Sequence, residues 1–290
     1  MKKYSGRLGL QQRVLPSYRV PFFDLLASQC EGGMNLFAGL PRPVEMIASG
    51  KTEVAKLTQA NNVHLLGGMF YLCHQQGFIN WLEETNPDAL IVEANPRYLA
   101  TPAAVKWMHS RGRKVIGWGL GSPSVNGFRK QRRLSFISQF DAMLSYSQRG
   151  AEEYAALGFP REKIFVAHNS VSPAPERPAD RPQTVDRVTL LFVGRLQARK
   201  RIDFLLRACA ELGTKPRLLI VGDGPERAAL ESFAKKNYSS AEFIGAKHGA
   251  ELKPYFVQAD LFVLPGTGGL AVQEAMSYGL PVIVAKGDGT

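Results

Sequence analysis

Cysteine is scarce in this chain, with three in 290 residues: Cys30, Cys73 and Cys209. Their odd number and wide spacing argue against a disulfide framework or a structural zinc site, so they read as small buried hydrophobes in a reducing compartment. Histidine is also thin: His64, His74, His109, His168 and His248 have no metal-site spacing, and only His168, beside Asn169 at a domain boundary, stands out. Long apolar runs are missing. No stretch approaches the roughly 18 apolar residues of a membrane-spanning helix. The basic start Met1-Lys2-Lys3 leads into no apolar segment, so no signal peptide is expected and the protein is placed in the cytoplasm. Acidic residues are in deficit, 25 against 36 Lys and Arg, which leaves a net charge of +11.

What is present is ordinary globular material: 45% hydrophobic and 10% aromatic residues, enough for a sizeable core. The length suits two domains. The basic excess leans toward the first half, where Arg129, Lys130, Arg132 and Arg133 form a dense cluster. Such a cluster is either a solvated helix face or a surface that attracts phosphate, on anionic lipid or an acidic acceptor. No nucleic-acid-binding module is recognisable, so nucleic acid is not an expected partner.

The segment 171–185 carries four prolines and little that could be buried, and the expected organisation is a first domain over 1–172, a linker over 173–186 and a second domain over 187–290. In the second domain, near-continuous apolar strands are expected at 188–193, 218–221, 243–244, 260–264 and 281–284. Helices are expected at 201–212, 225–236, 250–258 and 270–278, with Pro225 suited to the first turn of its helix. Strands without alternation, separated by helices, imply a parallel sheet covered on both faces. The first domain reads as the same kind. Strands are expected at 9–15, 44–48, 63–67, 89–93, 114–118, 142–145 and 164–167. Helices are expected at 21–29, 75–84 and 101–109, the last with Thr101 as N-cap and Pro102 at the first helical position. The fold class is α/β, two Rossmann-like doubly wound domains facing across a cleft at the carboxyl ends of their strands.

Three constellations carry chemistry. After the first strand of the second domain comes Gly194-Arg195-Leu196-Gln197-Ala198-Arg199-Lys200, where glycine permits close backbone approach and Arg195 and Lys200 add fixed cations before a helix. A diphosphate suits it; an ordinary basic turn is the alternative. Gly222-Asp223-Gly224-Pro225-Glu226-Arg227 follows the next strand. With Arg227 where a dinucleotide fingerprint needs its third glycine, it reads as a tight turn lining the cleft, and a dinucleotide oxidoreductase is the last-ranked alternative. The third is Pro265-Gly266-Thr267-Gly268-Gly269-Leu270, leading into a helix with Glu274. Backbone N–H groups at Gly268, Gly269 and Leu270 suit phosphate oxygens or sugar hydroxyls, and the Glu274 carboxylate suits a ribose. On the other domain, Arg13, Tyr18 and Arg19 sit where the first strand meets the first helix, at an expected acceptor-side edge.

Residues 188–290 resemble the donor-binding domain of family 4 retaining glycosyltransferases of the two-Rossmann GT-B architecture. The resemblance rests on Phe192-Val193-Gly194-Arg195-Leu196 with Lys200, on 219–226 (LIVGDGPE), on 259–265 (ADLFVLP) and on 274–283 (EAMSYGLPVI). Segments 12–23, 146–160 and 164–169 are similar to the family's acceptor domain. The resemblance implies that Arg195 and Lys200 bind the diphosphate of a UDP- or GDP-sugar and stabilise the departing charge. It implies that Glu274, the second glutamate of an E-x7-E motif, meets the donor ribose, and that neither metal nor cofactor takes part. The implied reaction moves a hexose-type sugar to a glycan or lipid-linked acceptor in surface glycan synthesis; if the Arg129–Arg133 cluster meets anionic lipid, the protein is peripheral at the inner face of the membrane. A sugar-nucleotide epimerase and a non-catalytic nucleotide-sugar-binding protein are the rivals. The chain departs from the family in three places: Gly266 stands where the motif has its first glutamate, the loop 118–122 lacks a histidine, and Thr290 ends the second domain early, so that domain is expected to be incomplete.

Overall fold

The computed structural model describes residues 3–45, 47–122, 126–170 and 187–285. It separates into two compact units, divided between Asn169 and Ser170. The proline-rich linker expected over 173–186 lies outside the described residues.

The first unit runs β1 (Leu8–Val14), α1 (Val20–Ser28), β2 (Met34–Gly39), β3 (Lys56–Leu65), β4 (Leu72–Gln76), α2 (Phe78–Thr85), β5 (Ala89–Glu93), α3 (Thr101–His109), β6 (Lys114–Gly119), α4 (Gly127–Ile137), β7 (Ala142–Ser145), α5 (Gln148–Leu157) and β8 (Ile164–Val166). Its strands form one sheet in the order β4-β3-β2-β1-β5-β6-β7-β8, parallel except for the antiparallel β3–β4 pair. The inner strands are apolar runs because helices cover them: Leu10, Leu36, Leu90, Val92, Val115 and Met143 are all inaccessible. Beneath the helices, Phe37, Phe78 and Trp81 pack ring on ring, with Phe37 and Phe78 stacked at 5.3 Å.

Several local expectations need correction. The strand expected at 44–48 is a 3-10 turn over Pro43–Glu45, and the one expected at 63–67 is only the end of the longer β3. Strands β2 and β4 go unannounced in the sequence: Gly39 closes the first, and the second is a short polar edge whose Gln75 and Gln76 were expected to open a helix that begins at Phe78. Thr101 is not an N-cap; it is the buried first residue of α3, preceded by Ala100.

The second unit runs β9 (Thr189–Val193), α6 (Ile202–Glu211), β10 (Arg217–Val221), α7 (Arg227–Asn237), β11 (Ala241–Gly245), α8 (Lys253–Gln258), β12 (Leu261–Leu264), α9 (Ala271–Ser277) and β13 (Val282–Val284). The sheet order is β11-β10-β9-β12-β13, all parallel. Strand β9 is buried along its length at the sheet centre, and Leu191, Phe192, Leu219, Ile220 and Phe262 meet Leu206 and Phe256 from the helices. Each such side chain contributes about 1.5–3 kcal/mol by leaving water. Pro225 does not open α7 as expected; the helix starts at Arg227, whose NH1 pairs with Asp223 Oδ2 at 2.9 Å and closes the preceding turn.

Both units have the feature that makes doubly wound sheets bind ligands. The first strand sits inside the sheet, and the chain leaves it in opposite directions, so loops splay apart at its carboxyl end. In the first unit this switch lies between β1 and β5, and in the second between β9 and β12.

Candidate donor and acceptor sites

In the second unit the three glycine-bearing segments all follow strand ends, after β9, β10 and β12. They are fitted to one another through backbone. Gly194 N donates to Val221 O at 3.0 Å, and Leu196 N donates to Asp223 O at 2.8 Å. A Cβ on Gly222, at φ +146°, would collide with the Gly194 carbonyl oxygen, and one on Gly224 with that of Leu196. These glycines are therefore required for close packing of two loops.

The 265–270 loop is lashed to the turn that carries Lys200. Thr267 N donates to Arg199 O at 3.0 Å, and Arg199 NH1 donates to Thr267 Oγ1 at 2.8 Å. Lys200 is only 6% exposed, and its Nζ donates to the carbonyls of Thr267 and Gly268, each at 2.8 Å. Burying an ammonium is tolerated because these dipoles replace its water. Gly266 is part of the same fit: a Cβ there would strike the Arg199 carbonyl oxygen and lie 2.6 Å from Lys200 Cα. The missing glutamate thus has a steric reason, since the Arg199–Lys200 backbone occupies the place where its side chain would begin. Arg201 turns the chain into α6 in the left-handed conformation, φ +53° and ψ +40°, a strain imposed on a non-glycine residue beside the site.

Among the described residues, none accepts a backbone hydrogen bond from the N–H of Gly268, Gly269 or Leu270, the three amides singled out in the sequence. Glu274 follows on α9, half-buried, and burial alone pushes its carboxyl above the usual range. A desolvated carboxylate accepts hydrogen bonds from hydroxyl groups readily. Arg195 lies between Gly194 and Leu196 on the same carboxyl edge, half-buried. The residues expected at a donor site are therefore brought to one edge of one sheet.

The first unit holds a cavity of about 570 Å³ at the carboxyl ends of β1, β5, β6 and β7. Tyr18 and Arg19 line it; Arg13 does not, and instead pairs with Glu45 at 2.9 Å. The Arg19 guanidinium lies among rings, 5.0 Å from Tyr146, 5.4 Å from Trp118 and 5.8 Å from Tyr18, and its NH1 donates to Gln12 Oε1 at 2.6 Å. Burial works against that charge, but the Tyr146 and Tyr18 phenols and Glu93 outweigh it and hold Arg19 firmly protonated.

Behind the cavity runs a network of buried amides that sequence reading missed. Gln11, Gln12 and Gln75 are at most 4% exposed. Gln11 donates to Gln75; Gln75 Nε2 donates to Gln12 O at 3.1 Å and to Asn62 Oδ1 at 2.9 Å; Gln11 Oε1 accepts from Glu93 N at 3.0 Å. In the sequence Glu93 reads as no more than the end of a strand. Its Oε2 accepts from Arg13 N at 2.6 Å, and burial pushes its carboxyl up, opposed by that N–H and by the charges of Arg19 and Arg13. The available signal was an ionisable residue ending the apolar run Ala89-Leu90-Ile91-Val92-Glu93.

The basic cluster lies on α4 and divides. Arg129, Lys130 and Arg132 are exposed beside Phe128, which is 77% exposed, whereas Arg133 turns toward the cavity and donates to Ser122 Oγ at 3.3 Å. Among the described residues there is no group of His, Cys, Asp and Glu able to hold a metal ion, and no helix long and apolar enough to cross a membrane.

The chain is similar to known glycosyltransferases. Residues 187–290 match the family described as "Glycosyl transferases group 1". A GDP-mannose-dependent alpha-mannosyltransferase of Mycobacterium tuberculosis is 42% identical over 101 residues, 34% of this chain and 25% of that protein. An uncharacterized glycosyltransferase of Methanocaldococcus jannaschii is 26% identical over 213 residues, 67% of this chain and 54% of that protein. The chain therefore spans only about a quarter to a half of these curated relatives. Among solved structures, Anabaena HepE in complex with UDP superposes with a TM-score of 0.68 at 16% identity, covering 98% of this chain and 81% of that one. The chain has the GT-B fold, and its residues 187–290 are similar to the group 1 glycosyl transferases.

Proposed function

We propose that this protein is a retaining glycosyltransferase of family 4 that moves a hexose-type sugar from a UDP- or GDP-sugar to a glycan or lipid-linked acceptor, without metal or cofactor. The observation that carries the reading is the convergence of Arg195, Lys200, the 266–270 loop and Glu274 at the carboxyl edge of one parallel sheet, with Lys200 holding the glycine loop in place. The match of this segment to group 1 glycosyl transferases supports it, and so do the relatives whose names specify a GDP-mannose donor. In this reading Arg195 and Lys200 stabilise the departing diphosphate, and Glu274 accepts from the ribose hydroxyls. The bond from the sugar's anomeric carbon to the phosphate oxygen breaks as the acceptor oxygen bonds on the same face, and the acceptor's proton passes to the leaving diphosphate. The first unit holds the acceptor. The outward face of α4 lies against an anionic membrane surface, where Arg129, Lys130 and Arg132 meet lipid phosphate and Phe128 enters the interface. Cosedimentation with anionic liposomes at low salt tests that contact; a protein left in the supernatant rules it out.

The test of the donor site is calorimetric titration of UDP and GDP into the wild type and Arg195→Ala. Binding of one nucleotide, weakened at least about tenfold in the variant, is expected from the loss of a charge-assisted contact. Nucleotide binding that is equal in the two proteins removes Arg195 from the site, and binding of neither nucleotide refutes the donor assignment.

A further inference from the structure

The cavity of the first unit contains a carboxylate that the donor chemistry does not use. Glu93 is held at two points, its N–H on Gln11 Oε1 and its Oε2 on Arg13 N. Gln11 is fixed in turn by Gln75. Among the described residues nothing donates to Glu93 Oε1, and Glu93 lines the cavity. A buried amide network is costly to assemble and rigid once satisfied, so the carboxyl group is presented in one orientation. What it presents is an acceptor, which a hydroxyl donor completes and an anion does not.

The surroundings favour the same class of ligand. Arg19 is a cation of the cavity floor but opens no fork of donors to a ligand: Gln12 takes its NH1, ring faces cover its guanidinium, and its buried Nε has no hydrogen-bond partner among the described residues. Arg133 donates to Ser122, and Arg97 is exposed at the cavity margin. Trp118, Tyr146 and Phe136 supply ring surface within the lining, and Asn95 and Asn169 add amides. Aromatic faces beside a fixed acceptor and a few amides match a pyranose ring, which has apolar C–H faces and a rim of hydroxyl donors. A phosphate site would need converging N–H donors and no carboxylate at its floor.

Resting on the glycosyltransferase reading, we propose that this cavity is the acceptor pocket for an uncharged sugar residue, and that Glu93 Oε1 accepts a hydrogen bond from one of its ring hydroxyls. Glu93 thereby selects which hydroxyl is fixed and so orients the one that reacts. Its carboxyl, already raised by burial, becomes easier to ionise once the hydroxyl is in place.

The experiment is saturation-transfer NMR on the full chain with the methyl α-glycosides of glucose, galactose, mannose and N-acetylglucosamine. UDP and GDP are titrated in parallel. Glu93→Gln is isosteric and keeps an oxygen for the Arg13 N–H, so it preserves the network. At least one glycoside binds the wild type, Glu93→Gln weakens it about tenfold, inorganic phosphate does not displace it, and nucleotide binding is unchanged. The proposal is overturned if no glycoside binds, if Glu93→Gln binds equally well, or if phosphate displaces the sugar and Arg133→Gln, not Glu93→Gln, lowers its affinity. Loss of nucleotide binding in the wild type would sink the transferase reading separately, because the glycoside titration does not depend on it.

Discussion

The two units reach a binding edge by different means. In the second, backbone does the fitting: glycines at 222, 224 and 266 let loops touch, and one buried lysine ties a loop by two carbonyls. In the first, side chains do it, through Gln11, Gln12, Gln75 and Asn62 behind Arg19 and Glu93. A site made of backbone tolerates variation in the side chains around it but no added Cβ at its glycines. A site made of side-chain amides accepts new shapes one residue at a time, and each change leaves a partner unsatisfied. Recognition of a shared nucleotide suits the first arrangement, and recognition of a variable acceptor suits the second.

The contrast can be broken most forcefully at Gly266. Gly266→Ala puts a Cβ against the Arg199–Lys200 backbone, and the expected cost is about 3 kcal/mol with loss of UDP or GDP binding. Thermal unfolding and nucleotide titration read both effects. A stable, nucleotide-binding variant would show that the two loops are not interlocked. Gln75→Leu removes the hub of the other network and leaves Gln11 and Asn62 short of a partner, at an expected cost of about 1–3 kcal/mol. Nucleotide affinity should stay within about twofold, as expected for sites that share no hydrogen-bond partner. A nucleotide defect as large as that of Gly266→Ala would mean that the two units are not independent.

The same contrast governs how much could be read in advance. Strands β9, β10 and β12 each contain an apolar run of four residues followed by glycine or proline, so the second unit and its loops are legible in order. The Lys200–loop contact was not, because it joins a side chain to carbonyls on a distant segment and leaves no residue pattern. In the first unit β3 is largely exposed and β4 turns polar after Cys73, so neither shows the buried-strand signature. Tertiary pairing across the edge hairpin, with Asn61 Nδ2 donating to Gln76 Oε1 at 2.6 Å, decides their conformation. The glutamine network is illegible for a related reason. Its members lie on β1 and β4, and glutamine in a strand ordinarily faces water. Glu93 could have been suspected, since a carboxylate closing an apolar parallel strand is expensive without a purpose.

One feature of the sheets bears on how the chain is made. In each unit the strand synthesised first lies inside the sheet: β1 pairs with β2 on one side and, on the other, with β5, whose first partner for Leu8 is Ala89. Strand β9 likewise waits for Leu261 of β12. During vectorial synthesis each nascent unit therefore carries a strand destined for burial with one open edge until β5 or β12 has been made. That edge is a template for pairing with other chains. Growth temperature and chaperone supply should accordingly govern the yield of soluble protein more than the stability of the finished fold does.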